Sequence, residues 1–95
     1  MTAKFELGHV VMTRGVADWS ADDETGETNA DLLLCLSRHA DGDWGEVCDE
    51  DKDSNEYALN RYLRLLSAYT VQSKKIWIIT EADRSATTIL FPDEY

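Results

Sequence analysis

An α+β domain is the expectation for these 95 residues, and three observations lead to it. The last third holds three runs rich in β-branched and aromatic residues, LRLLSAYTV, KIWIITE and ATTILFP, separated by short polar turns. Between residues 28 and 42 leucines recur at helical spacing, with a capping residue before them and a glycine after. The hydrophobic fraction of 43% is ordinary for a globular protein, and the length suits one domain, residues 1–95, with a single modest core.

The first element is FELGHVVMT, a strand near 5–13 in which Gly8 is a candidate bulge. Residues 15–27 are polar without a clear period, and read as a short helical turn around Val16–Trp19 followed by an acidic loop. A helix near 29–39 comes next. Thr28 is its candidate N-cap, with Asp31 completing a variant capping box. Leu32, Leu33, Cys35, Leu36 and His39 form its apolar face, Arg38 sits in the last turn, and Gly42 stops it. A second helix, near 48–60, has few apolar residues and must keep one side in water. Strands near 63–71, 75–81 and 86–91 are joined at Gln72–Ser73–Lys74 and at 82–85 as tight hairpins. The expected architecture is a sheet of about four antiparallel strands with the helices packed on one face.

Charge is the extreme feature. The net charge is -10, and residues 18–56 alone hold fourteen acids against Arg38 and Lys52, a sum of -12. The segments 1–17 and 57–95 each sum to +1. Such a field repels nucleic acid and membrane surfaces and attracts basic proteins. No run approaches the roughly 18 apolar residues of a membrane span. The start, MTAKFELGHVV, lacks the features of a signal peptide, and two cysteines are too few for a disulfide scaffold, so a bacterial cytoplasm is the expected compartment.

Several chemistries can be weighed on residue spacing. Asp49, Asp51 and Asp53 match the opening ligands of a calcium loop, but Ser54 stands where glycine is needed and Asn60 where the bidentate glutamate is needed. Cys35, His39 and Cys48, with His9 as a fourth ligand, outline a zinc site, although no CxxC pair anchors it. The competing reading packs Cys35 in the core and uses His39 to cap the helix end. No phosphate loop, GxSxG elbow or HExxH motif is present, so neither an enzyme nor a cofactor is expected. Among the tryptophans, Trp77 reads as a sheet residue packed on a helix, Trp44 as a plug at the core edge, and Trp19 as the ring most exposed among acids.

The string LLSAYTVQSKKIWIITEADRSATTILFPDEY, with SRHADGDWG upstream, resembles a family of small proteins encoded on bacterial plasmids, prophages and integrative elements, often labelled "plasmid-related protein". The resemblance covers 36–95 well and 4–15 more loosely, and its specific motifs are GDWG and ITEADRSATTIL. Between 14 and 31 the chain departs from it: TRGVA stands where the family has TPGAL, and DWSADDETGETNAD replaces the following helix. Some members carry a restriction-methylation label, which 95 residues without a Rossmann-type glycine motif cannot support. In size, charge and genetic habit the chain is also similar to anti-CRISPR and anti-restriction proteins that mimic DNA.

The resulting expectation is an inhibitor of a bacterial nucleic-acid-targeting defence system, with a type I CRISPR surveillance complex as the favoured partner. An acidic surface would block DNA binding there. The candidate contact residues are Asp22, Asp23, Glu24, Glu27, Asp43, Glu46, Asp49, Glu50, Asp51, Asp53 and Glu56, with Trp19 as an anchor. The alternatives are a plasmid-maintenance or antitoxin-like protein that neutralises a basic partner, and a small zinc-binding domain.

Overall fold

The computed structural model describes residues 3–95. Its elements in chain order are β1 (His9–Met12), α1 (Arg14–Asp22), α2 (Glu27–Ala40), α3 (Asp49–Leu59), β2 (Leu65–Val71), β3 (Lys74–Thr80) and β4 (Ala86–Leu90), followed by a 3-10 turn at Pro92–Glu94. The fold is α+β, with strands in the order β1-β4-β3-β2. No helix of the described residues is long and apolar enough to cross a membrane.

The sheet is mixed rather than purely antiparallel, because β1 pairs in parallel with β4 from His9–Ala86 to Met12–Ile89. All three helices and the β2–β3 hairpin lie between those strands, so the connection is long enough for either direction. Residue patterning reports which face is buried and is silent on strand direction. The first strand is also shorter than the expected 5–13. Gly8, at φ +65°, turns the chain so close to the Ser85 backbone that a Cβ could not fit, and the ladder starts at His9.

Residues 14–22 form a full helix rather than a turn and an acidic loop. Its N-terminus is satisfied from the far end of the chain. Glu94 accepts from the Thr13 hydroxyl (2.6 Å), the Gly15 N–H (3.2 Å) and the Phe91 N–H (2.9 Å). These bonds hold the Glu94 carboxyl below its usual range, the Thr13 hydroxyl contributing most. Glycine at position 15 lets that carboxylate approach the backbone, since a Cβ there would push it aside.

Helix α2 begins two residues earlier than expected and its cap is not Thr28. Asp23 accepts from the Thr28 N–H (2.9 Å) and hydroxyl (2.7 Å), so Thr28 is buried inside the first turn and Asp31 plays no capping part. Leu32, Cys35 and His39 face the core, whereas Leu33 is turned out to solvent. Gly42, at φ +83°, ends the helix as expected.

The core lies between α1, α2 and one face of the sheet, where Val16, Leu32 and Cys35 meet Tyr69, Val71, Ile76, Ile78 and Ile89. A polar thread crosses it. His39 sits between the Ser67 hydroxyl at Nδ1 and the Thr80 hydroxyl at Nε2 (2.9 Å). Thr80 is bonded to Thr87 (2.7 Å), and Thr87 donates to the Leu7 carbonyl (2.7 Å). His39 is thus a satisfied interior group and not a cap at the helix end. Trp77 packs on the C-terminal Tyr95 (5.8 Å between centroids), on the face away from α1 and α2, instead of against a helix. Trp44 is buried against Phe5, Ala58 and Leu65, as expected of a plug.

Burial, reinforced by the positive charge of Arg84, lowers the His39 pKa to about 3. In the unfolded chain the imidazole takes up a proton near 6.5, so stability is lost as pH falls from 6.5 towards 3. His39→Gln keeps one acceptor and one donor but does not titrate. Relative to that variant, the parent should lose about 2 kcal/mol more between pH 7 and pH 5 in urea unfolding, and equal pH slopes would contradict the buried neutral imidazole.

Candidate acidic interface

Helix α3 is built almost without an apolar face. Only Asn55 and Ala58 are buried along it, with Leu59 partly so. Its N-cap residue, Cys48, makes no side-chain capping bond, and the first turn is filled by Asp49, Glu50 and Asp51 instead. Acids at that end interact favourably with the helix dipole, which gives part of the charge cluster a structural reason.

Polar contacts dock the helix. The Asn55 carboxamide donates to the Leu66 carbonyl (2.7 Å) and accepts from the Leu66 N–H (3.1 Å), so one side chain pairs with the outer edge of β2 as a strand would. Next to it the chain itself completes the edge: the Ala68 N–H donates to Trp44 (3.2 Å) and the Glu46 N–H to Ala68 (2.7 Å). Trp44 Nε1–H reaches Glu56 (2.7 Å) and ties the helix to this bridge. Helix α3 therefore lies along the β2 edge, not on the face that α2 covers, and the edge is closed to further pairing at these positions.

With Asn55 and Ala58 turned inward, steps of about 100° per residue place Asp49, Glu50, Asp53 and Tyr57 on the outward side. Asp51 is about 200° from both Asp49 and Asp53 and belongs to another side, in a hollow with Val47, Lys75 and Trp77. Asp49, Glu50 and Asp53 are exposed and form no ion pair among the described residues. Tyr57 is 57% exposed and carries the Arg61 guanidinium over its ring at 3.9 Å. Sequence reading missed Tyr57 as a contact residue. Its position, four after Asp53 and seven after Glu50, was the available signal.

Other candidate residues have structural employment. Asp23 is consumed in capping α2, and bonds from Thr25 and then Thr28 hold its carboxyl far below the usual range. Asp43 accepts from the Arg38 guanidinium (2.7 Å), which lowers its pKa. Glu46 accepts from Lys75 (2.8 Å) and Thr70 (3.0 Å), and those bonds lower its pKa in the same order. Trp19 is not an exposed anchor: it is half-buried, 5.5 Å from the Phe91 ring and 6.0 Å from the Lys74 ammonium. Asp22, Glu24 and Glu27 remain exposed around the α1–α2 junction. Helix α1 packs on β1 and β4 and α3 on β2, while Thr28, in the first turn of α2, is bonded to Gln72 in the β2–β3 turn (3.0 Å).

The metal arrangements do not assemble. Asp49, Asp51 and Asp53 lie on a helix rather than in a ligand loop. Both nitrogens of His39 are bound to hydroxyls, Cys35 is buried in the core, and Cys48 is exposed at the start of α3. Among the described residues no three His, Cys, Asp or Glu side chains are grouped to hold a metal. No family model, no curated protein and no solved structure matches the chain.

Replacing Asn55 tests how α3 is held. Asn55→Ala leaves both backbone groups of Leu66 without their partner and should cost about 2–4 kcal/mol of unfolding free energy in urea. A cost below about 0.5 kcal/mol would show that the Asn55 pair does not hold the helix.

Proposed function

We propose that this protein inhibits a bacterial nucleic-acid-targeting defence complex by placing the outward side of α3 in a basic groove that otherwise receives DNA. The observation that carries the reading is the row of unpaired carboxylates, Asp49, Glu50 and Asp53, beside exposed Tyr57 on a helix fixed along the sheet edge. A DNA groove is lined with lysine and arginine, and much of its affinity is electrostatic. Carboxylates three and four residues apart on a helix stand about 5–6 Å from one another, so several cations are engaged at once. Because the row is already ordered, little conformational freedom is lost on binding. The tyrosine supplies a large ring of the kind enriched in binding hot spots.

A type I CRISPR surveillance complex remains the favoured partner, on the size, charge and mobile-element resemblance of the chain. The contact set narrows from the eleven acids considered in the sequence to the α3 row: Asp23, Asp43, Glu46 and Glu56 already serve the fold, Asp51 faces another side of α3, and Asp22, Glu24 and Glu27 stand off the helix at the α1–α2 junction. A basic toxin would meet the same face, and competition by DNA separates the two partners.

The triple change Asp49→Asn, Glu50→Gln, Asp53→Asn tests the reading. Lost dipole interaction and relieved repulsion oppose one another, so the thermal midpoint should shift by only about 3 °C or less. Three exposed ion pairs of about 0.2–1 kcal/mol each predict binding weaker by about 3- to 160-fold. DNA should displace the parent, and binding should weaken as salt rises. Asp18→Asn with Asp22→Asn should change little. If the triple variant inhibits a type I surveillance complex as well as the parent does, the α3 row is only a solvated surface.

A further inference from the structure

A cleft of about 630 Å³ opens between three segments: the N-terminal arm at Lys4 and Phe5, the α3–β2 connection at Asn60 and Tyr62, and the β3–β4 connection at Asp83 and Arg84. Its volume falls within the range of small-molecule sites. Arg84 is 8% exposed, yet no carboxylate of the described residues lies within ion-pair distance of it. Backbone carbonyls hold its guanidinium instead. Nη1 donates to Leu63 (2.7 Å), Ala82 (3.1 Å) and Glu81 (3.2 Å), and Nη2 donates to Ala58 (3.0 Å) at the end of α3.

These bonds satisfy the outer nitrogens and leave the charge without a counter-ion. The Nε–H has no acceptor among the described residues. A buried charge is ordinarily paired, so an unneutralised guanidinium lining a cleft is suited to an anion.

The backbone gives an independent sign. Among the described residues four other than glycine have positive φ, and Gln72 and Ser73 are explained as the two-residue turn between β2 and β3. Of the other two, Arg84, at φ +63°, closes the turn of the β3–β4 hairpin, whereas Tyr62, at φ +51°, stands in no hairpin; both line the cleft. Glycine or asparagine adopts that conformation at lower cost, and such strain concentrates at ligand sites. The two side chains also meet, with the guanidinium 5.2 Å from the Tyr62 ring centre and 5.8 Å from that of Phe5. Tyr62 nonetheless leaves 66% of its surface exposed, a free aromatic face beside a cation.

We propose that this cleft binds a small aromatic anion, whose ring lies on Tyr62 and whose phosphate or carboxylate group meets the Arg84 Nε–H. Glu6 and Asp83 also line the cleft and repel a polyanion, so it admits one anionic group rather than a nucleic-acid strand. The site is separate from the outward side of α3 and does not depend on what that side binds.

Amide NMR titration of the full chain tests the site with AMP and 4-hydroxybenzoate as probes. Adenosine and phenol are the uncharged counterparts, and inorganic phosphate and acetate lack the ring. At least one ring-bearing anion should shift the amides of Tyr62 and Arg84 saturably, with Kd below about 1 mM. Its uncharged and ringless counterparts should bind at least about tenfold more weakly. Saturation by AMP alone identifies a phosphate ligand, and by 4-hydroxybenzoate alone a carboxylate. Tyr62→Ala should weaken binding about tenfold while keeping the parent's amide spectrum elsewhere. Arg84 is kept, because its removal releases α3 and the β3–β4 connection together. The proposal is overturned if neither ring-bearing anion saturates below about 5 mM. Equal binding of the uncharged counterparts, or binding indifferent to Tyr62→Ala, overturns it as well.

Discussion

The pair of hydrogen bonds between the Asn55 carboxamide and Leu66 decides where α3 lies, and with it which carboxylates face out. Most surface helices dock by an apolar stripe, but α3 has only Ala58 and part of Leu59 to offer. A polar side chain at the centre of its inner side therefore does what leucines do elsewhere. It stands at a strand edge whose N–H and C=O would otherwise need water or another strand. Arg84 holds the C-terminal carbonyl of Ala58, and Trp44 holds Glu56, so the helix is fixed at its middle, at its end and on its flank.

Eight of the fourteen acids in the middle third then fall into three overlapping groups rather than one patch. Asp49 to Asp51 stand in the first turn of a helix without a side-chain cap, where the dipole favours them. Asp23, Asp43, Glu46 and Glu56 accept bonds that shape the α1–α2 junction and the loop around Trp44. What is left over on α3 is the row Asp49, Glu50 and Asp53, and Asp49 and Glu50 belong to two populations at once. Self-repulsion within the row is tolerated because the polar clamps, rather than the row itself, hold the helix. A surface of this kind suits a partner that supplies the missing cations.

The hairpins and the class of the fold were legible in the sequence because β-branched runs and the polar pairs between them act locally. Gln72 and Ser73 turn with both φ positive, a strained choice for such residues, yet the flanking runs left no other place for the turn. Helix α1 was not legible, since its N-terminus is completed by Glu94 from the far end of the chain. Asp23, just before α2, takes over the capping expected of Thr28, and β1 lies parallel beside the sequence-distant β4. Within the candidate site the acid composition was plain, but its geometry was not. Asp49, Asp51 and Asp53 look like one array along the sequence, whereas a helix turns Asp51 away from the other two. Trp19 drew attention as an aromatic among acids, while Tyr57 has that position on α3, and only the helical period distinguishes them.

Carbodiimide labelling of carboxylates, read residue by residue on the chain alone and bound to a type I surveillance complex, tests the central claim most directly. Binding through the outward side of α3 predicts that Asp49, Glu50 and Asp53 lose labelling in the complex while Asp18 and Asp22 keep theirs. Unchanged labelling of the α3 row in a formed complex, or protection confined to Asp18, Asp22 and Glu24, would contradict it.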